Sequence, residues 1–157
     1  MMNIIKIQQF EYALSVFSEI SHYNFRFVCE QGGKLFTGQF LSEFDVFPDA
    51  ESYGEKFNRI KQPTNFDTVD FDVIKIRHLI FDKFKDGFSG RVYVPNTEDL
   101  VNAIYSLLDQ VPDDLKPTNN FGIVRNVNFL ESDLHFDSYR FPTASKFNVV
   151  SVQRLDN

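Results

Sequence analysis

The sequence predicts an α+β domain: a mainly antiparallel sheet of about seven strands in hairpins, covered by about three helices in the order αββαββαβββ. Three observations point there. A diglycine turn lies between two aromatic, alternating segments, three stretches carry apolar residues at helical spacing, and near the C-terminal end the apolar positions switch parity across a short acidic turn.

The diglycine turn anchors the reading. From Asn24 to Ser42 the chain suits a hairpin in which Gly32-Gly33 supplies the positive φ of a primed two-residue turn. Closing on Gln31 and Lys34, it pairs Cys29 with Phe36, Phe27 with Gly38 and Phe25 with Phe40 on one face. Arg26, Gln39, Val28 and Thr37 then fall on the other face, and a slip of one residue would carry phenylalanines into water.

Upstream, Phe10, Ala13, Leu14, Phe17 and Ile20 recur at helical spacing within Gln8 to Ile20, which predicts an amphipathic helix on the sheet. After a turn over Phe44 to Asp49, Ser52 and Glu55 have capping-box spacing, and Tyr53, Phe57 and Ile60 make the stripe of a second helix ended by Pro63. Thr68 to Val94 suits two strands closed by Asp86-Gly87, with Asp82 against Arg91, Phe81 against Val92 and Leu79 against Val94. The competing helical stripe there is Val73, Ile76, Ile80 and Phe84.

Thr97 to Gln110 reads as a third helix. Asn96 or Thr97 caps it, Glu98 and Asp99 favour its positive end, and Leu100, Ile104, Leu107, Leu108 and Val111 form the buried stripe up to Pro112. Pro112 to Asn120 is a polar surface loop. Ile123, Val127 and Phe129 are apolar on odd positions and Leu130, Leu134 and Phe136 on even ones, so a turn at Glu131 to Asp133 joins two strands. A last strand, Lys146 to Leu155, follows the Pro142-Thr143-Ala144-Ser145 turn.

No linker, repeat or low-complexity stretch divides residues 1–157, which predicts a single domain. Its 19 phenylalanines, each worth about 1.5 to 3 kcal/mol when buried, supply a core without a cofactor or disulfide. With Phe, Ile, Asn and Lys abundant and Gly and Pro sparse, the composition also matches an AT-rich bacterial or phage genome. The single cysteine, Cys29, suits a reducing compartment. The first six residues have no basic segment leading into an apolar one, and no apolar run reaches membrane-spanning length, so a cytoplasmic protein away from membranes is expected.

The net charge of −6 is concentrated. Between Glu98 and Asp137 stand eight acids against Lys116 and Arg125, while the remainder carries 14 charges of each sign. Such a field disfavours nucleic acid and favours a basic protein surface. Asp109, Asp113, Asp114, Glu131, Asp133 and Asp137 are the partner-binding candidates within it.

Catalytic motifs are weak. On a strand, Asp133, His135 and Asp137 share one face, with Leu134 and Phe136 turned into the core, and His with flanking carboxylates can ligate a divalent ion. Closing the shell requires a further ligand, for which Asp70, Asp72 and His78 are the candidates. Cys29 and His22 stand an odd number of residues apart, which on one strand puts them on opposite faces and argues against a nucleophile and base. Gly32-Gly33-Lys34 leads into a strand and so lacks the helix N-terminus of a phosphate loop. Phe25, Phe27, Phe36 and Phe40 suit core packing better than base stacking, with only Arg26 and Lys34 nearby. Asp67, Asp70 and Asp72 read as surface charge.

The function this predicts is non-catalytic: a small acidic inhibitor or immunity-type protein, or a phage-encoded one, acting on a basic protein partner without a cofactor. A metal-dependent hydrolase-like enzyme using the Asp133, His135, Asp137 face and a small apolar ligand-binding domain are the alternatives.

Overall fold

A computed structural model describes residues 1–41, 59–61, 70–84, 97–111 and 121–155. Among them the elements run α1 (Ile4–Ser21), β1 (Asn24–Gln31), β2 (Lys34–Gln39), β3 (Arg59–Lys61), β4 (Asp70–Asp72), α2 (Val73–Phe84), α3 (Thr97–Leu108), β5 (Phe121–Phe129), β6 (Leu134–Pro142) and β7 (Asn148–Leu155). Five strands form one antiparallel sheet in the order β6-β5-β2-β1-β7, on which the three helices pack, while β3 and β4 pair separately. The class is the α+β arrangement expected from the sequence.

The α1 helix is longer than its predicted stripe because Asn3 starts it earlier, its Oδ1 accepting from the Lys6 amide at 2.8 Å. It ends at His22, whose φ of 62° and N–H to the Ser18 carbonyl make a left-handed cap. Ile5, Tyr12 and Val16 are buried as well as the expected Phe10, Ala13, Leu14 and Phe17, because α1 lies against the sheet and also contacts α2 and α3. Arg77 of α2 grips Glu19 of α1 at 3.1 and 3.4 Å. Lys6 of α1 reaches the end of α3, its Nζ donating to the Leu108 and Val111 carbonyls at 2.9 and 3.0 Å. On the far side of α3, the Tyr105 hydroxyl receives the Val149 amide at 3.0 Å and fixes the helix to β7.

Where Thr68 to Val94 suggested a strand pair, residues 73–84 are helix α2. The helical stripe prevails because Ile76, Ile80 and Phe84 are each buried to 4% exposure or less, whereas Phe81, which the strand register would have turned inward, is 39% exposed. Leu79, Phe81 and Asp82 therefore meet no strand opposite, and Asp86-Gly87 lies outside the described residues. The predicted second helix also lies mostly outside them. Its final stripe residue, Ile60, stands in β3 opposite Phe71 of β4.

The first hairpin has the expected turn, with φ of 60° at Gly32 and 81° at Gly33, and the expected pairing of Cys29 with Phe36. Beyond that pair the register stops. Phe27 pairs with Val152 and Phe25 with Arg154, both on β7, whereas β2 continues on β5, with Thr37 opposite Asn128 and Gln39 opposite Arg125. The predicted Phe27–Gly38 and Phe25–Phe40 pairs are replaced because each strand has a second partner drawing it outward, and the hairpin opens into a fork. A bulge between Val28 and Cys29 buries three successive residues of β1, and Thr37 is buried too, so neither Val28 nor Thr37 faces water.

An aromatic network fills the interior. Phe36 touches Phe40, Phe129, Phe141 and Phe147 with ring centroids 5.2 to 6.3 Å apart, and Phe27 stands between Phe10 and Phe40 at 5.5 and 6.1 Å. Core packing is what the hairpin phenylalanines do. Among the described residues no helix is long and apolar enough to cross a membrane.

Candidate functional site

Two surfaces stand out, at different places on the sheet. The first is the head of the β5–β6 hairpin, where residues 130–133 form the turn near its expected position and β6 is the end strand of the sheet. Asp133 adopts φ 53° within that turn, so it does not share the strand face with His135 and Asp137. Those two do approach: the His135 Nε2 lies 3.1 Å from Asp137 Oδ1, and Nδ1 lies 2.7 Å from Asn128 Oδ1. With both ring nitrogens engaged, a metal would have to displace one of these oxygens. His78 is exposed on α2, Asp70 and Asp72 belong to β4, and no group of three His, Cys, Asp or Glu among the described residues is placed to hold a metal ion.

Leu134 and Phe136 pair with Phe129 and Val127 and so share their side of the sheet. They do not enter the core, as the alternation predicted. Val127 is buried, whereas Leu134 is 54% and Phe136 38% exposed. Phe136 rests edge-on against Phe129 and Tyr139 at 6.0 and 5.4 Å. Beside them is a depression of about 280 Å³, bounded also by Leu35 and Lys34, with the Lys34 ammonium 5.9 Å from the Phe129 ring centroid. Leu130 is exposed too, as are Glu131 and Asp133 in the adjoining turn, while Asp137 is solvent-facing on the opposite face of β6 with His135. Asp109, another partner-binding candidate, follows α3, which packs against β7 at the other end of the sheet. Asp113 and Asp114 lie outside the described residues.

The second surface is the fork between β1 and β2, a cleft of about 610 Å³. Its floor is α1, where Glu11, Leu14, Ser15 and Ser18 follow one another at helical spacing. Phe25 and Phe27 form one wall, and Thr37, Gly38 and Gln39 form the other. Where β1 has left β2, side chains of α1 replace the missing strand. Glu11 Oε2 accepts the amides of Phe40 and Leu41 at 2.8 and 2.9 Å, and Gln8 Nε2 donates to the Phe40 carbonyl at 3.2 Å. Burial pushes the Glu11 carboxyl up to about 8, against the lowering effect of those two amides.

Asn126 closes the cleft. It carries φ 51° in β5, where the β2–β5 register shifts, and its Nδ2 donates to Gln39 Oε1 at 3.0 Å. That irregularity changes the inward phase of β5, so Val124 is buried rather than only half-buried like Ile123. Cys29 is buried, and that burial pushes its thiol up, which removes it as a nucleophile at neutral pH. His22, as the cap of α1, is not on the strand with it. Nothing in the sequence singled out Glu11 or Asn126. The only local sign of Glu11 is a carboxylate one position after Phe10 on a helix buried almost all round.

Compared with family models, with curated proteins and with solved structures, the chain matches none of them.

Proposed function

We propose that this chain is a non-catalytic binding protein of the inhibitor type, which docks on a basic protein surface through the head of its β5–β6 hairpin. The observation that carries the reading is the exposed Leu134–Phe136 pair on an end strand, with the acids Glu131 and Asp133 in the turn beside it and Asp137 on the opposite face of the same strand. An apolar centre with a charged rim is the anatomy of protein interfaces, and a strand whose outer edge pairs with nothing among the described residues can also offer backbone groups to a partner. The rim fixes the sign of that partner. Acids beside an apolar centre favour a cationic surface and steer its approach.

The test is capture from a host lysate on the immobilised wild-type chain, followed by kinetics on the purified partner. A basic protein is expected, whose association slows as salt rises from about 50 to 500 mM while dissociation changes far less. It should be lost from a Leu134→Ser, Phe136→Ser double variant that melts like the wild type. Neutralising Asp113 and Asp114 to asparagine then separates steering by the whole Glu98–Asp137 segment from steering by the hairpin alone. A partner kept by the double variant, a salt-independent association rate, or pairing only between two copies of this chain overturns the proposal.

A further inference from the structure

The β1–β2 cleft has a carboxyl at its floor with which no cation forms an ion pair among the described residues, although Arg26 stands at its edge. Of the other charged groups that line it, Glu19 is held by Arg77, and Arg26 is tied through Nε to Gln153 Oε1 at 2.7 Å. Glu11 commits Oε2 to two backbone amides, and no hydrogen bond or ion pair among the described residues engages Oε1.

We propose that this cleft binds a small amphipathic cation, an aryl- or alkylamine whose ammonium sits on Glu11 and whose apolar body lies against Phe25, Phe27 and Leu14. The volume of about 610 Å³ falls within the range of small-molecule sites. An ammonium brings three donors, and the cleft offers acceptors to meet them. Beside Glu11, the Ser15 hydroxyl already gives its proton to the Tyr12 carbonyl at 2.6 Å and so faces the ligand with lone pairs. A carboxylate ligand would instead bring a second acid against Glu11, and a neutral one would forgo the ion pair that ionising Glu11 creates. Because burial holds the Glu11 carboxyl protonated at neutral pH, seating the cation ionises it and the displaced proton passes to the buffer.

The experiment is titration calorimetry on the whole chain at pH 7 with phenethylamine, 2-phenylethanol and 3-phenylpropionate. Phenethylamine should bind saturably, with an apparent enthalpy that differs between phosphate and Tris buffers because a proton is released. The alcohol should bind about tenfold or more weakly and the anion not at all, since a charge-assisted hydrogen bond is lost. Glu11→Gln, which keeps an oxygen for the Phe40 and Leu41 amides, should weaken the amine by a similar factor and remove the buffer dependence. No saturable amine binding, an alcohol that binds equally well, or full affinity in the variant overturns the proposal. The ligand comparison uses wild-type protein alone and so stands even if the variant is unstable. Neither arm involves the exposed head of the β5–β6 hairpin.

Discussion

A Cβ placed on Gly38 would stand 2.8 Å from Cγ1 of Val124, closer than packed carbon atoms come. The glycine is set by this approach of β2 to β5 and not by the turn. Val124 is fully buried, so it has little room to retreat. Gly38→Ala should therefore lower stability by about 1 to 3 kcal/mol, the usual cost of overpacking. A combined Gly38→Ala, Val124→Ala variant should recover part of that loss in urea unfolding. No recovery would mean that the strain lies elsewhere.

Phe27→Ala should cost about 3 to 5 kcal/mol, because the ring is buried and wedged between Phe10 and Phe40. Chemical denaturation with an unchanged m-value would measure it. A loss under about 1 kcal/mol would show that the ring contributes little to the core.

Glu11→Gln makes a prediction with a sign. The folded carboxyl is raised to about 8 from an ordinary 4.5, so between those values the folded state keeps a proton that the unfolded chain has lost. The stability contributed by this group is full below about 4.5 and falls as pH rises towards 8. Near pH 5 the variant should match wild type. It should become progressively more stable than wild type up to about pH 8, then keep a constant margin. Around Glu11, Cys29 on β1 and Tyr105 on α3 are both shifted up from ordinary values of 9.0 and 10.0, away from this window. Among the described residues Arg26, Glu19 and Arg77 are the other charged groups at the cleft or paired with its lining. Thermal melts of both proteins across pH 5 to 9 check it, and parallel curves would refute the raised carboxyl.

Lys6→Met should loosen the end of α3, removing the ammonium from the Leu108 and Val111 carbonyls while keeping the aliphatic stem. A loss of about 1 kcal/mol is expected, with amide exchange accelerating first at residues 108–111. Uniform acceleration through α1, α2 and α3 alike would contradict a local cap.

Local chemistry was legible in this sequence and partner choice between distant segments was not. Gly32-Gly33 defines its turn from two residues, and Glu98, Asp99 and the Leu100 stripe define α3 from one segment. The fork needs β5 and β7 to compete for strands that are neighbours in sequence, and no window around Phe27 contains that information. At residues 73–84 both periods fitted, and burial of Ile76 and Ile80 against the rest of the core decided for the helix. The acids of the candidate interface were visible as charge, but the exposure of Leu134 and Phe136 is a tertiary property that alternation along one strand does not reveal. Glu11 gave no signal because its partners, Phe40 and Leu41, bond through their backbones.

The pairing of β1 with β7, reinforced by the bridge between Met2 and Phe147, has a consequence for how the protein is made. During translation β1 leaves the ribosome long before β7 exists, and the hairpin with β2 covers only its Cys29–Gln31 end. Until β7 arrives, Asn24–Val28 is an unpaired aromatic edge in the nascent chain. Such high contact order predicts slow folding and a period in which a chaperone competes with aggregation. Deleting β7 should leave a product that expresses but collects in the insoluble fraction.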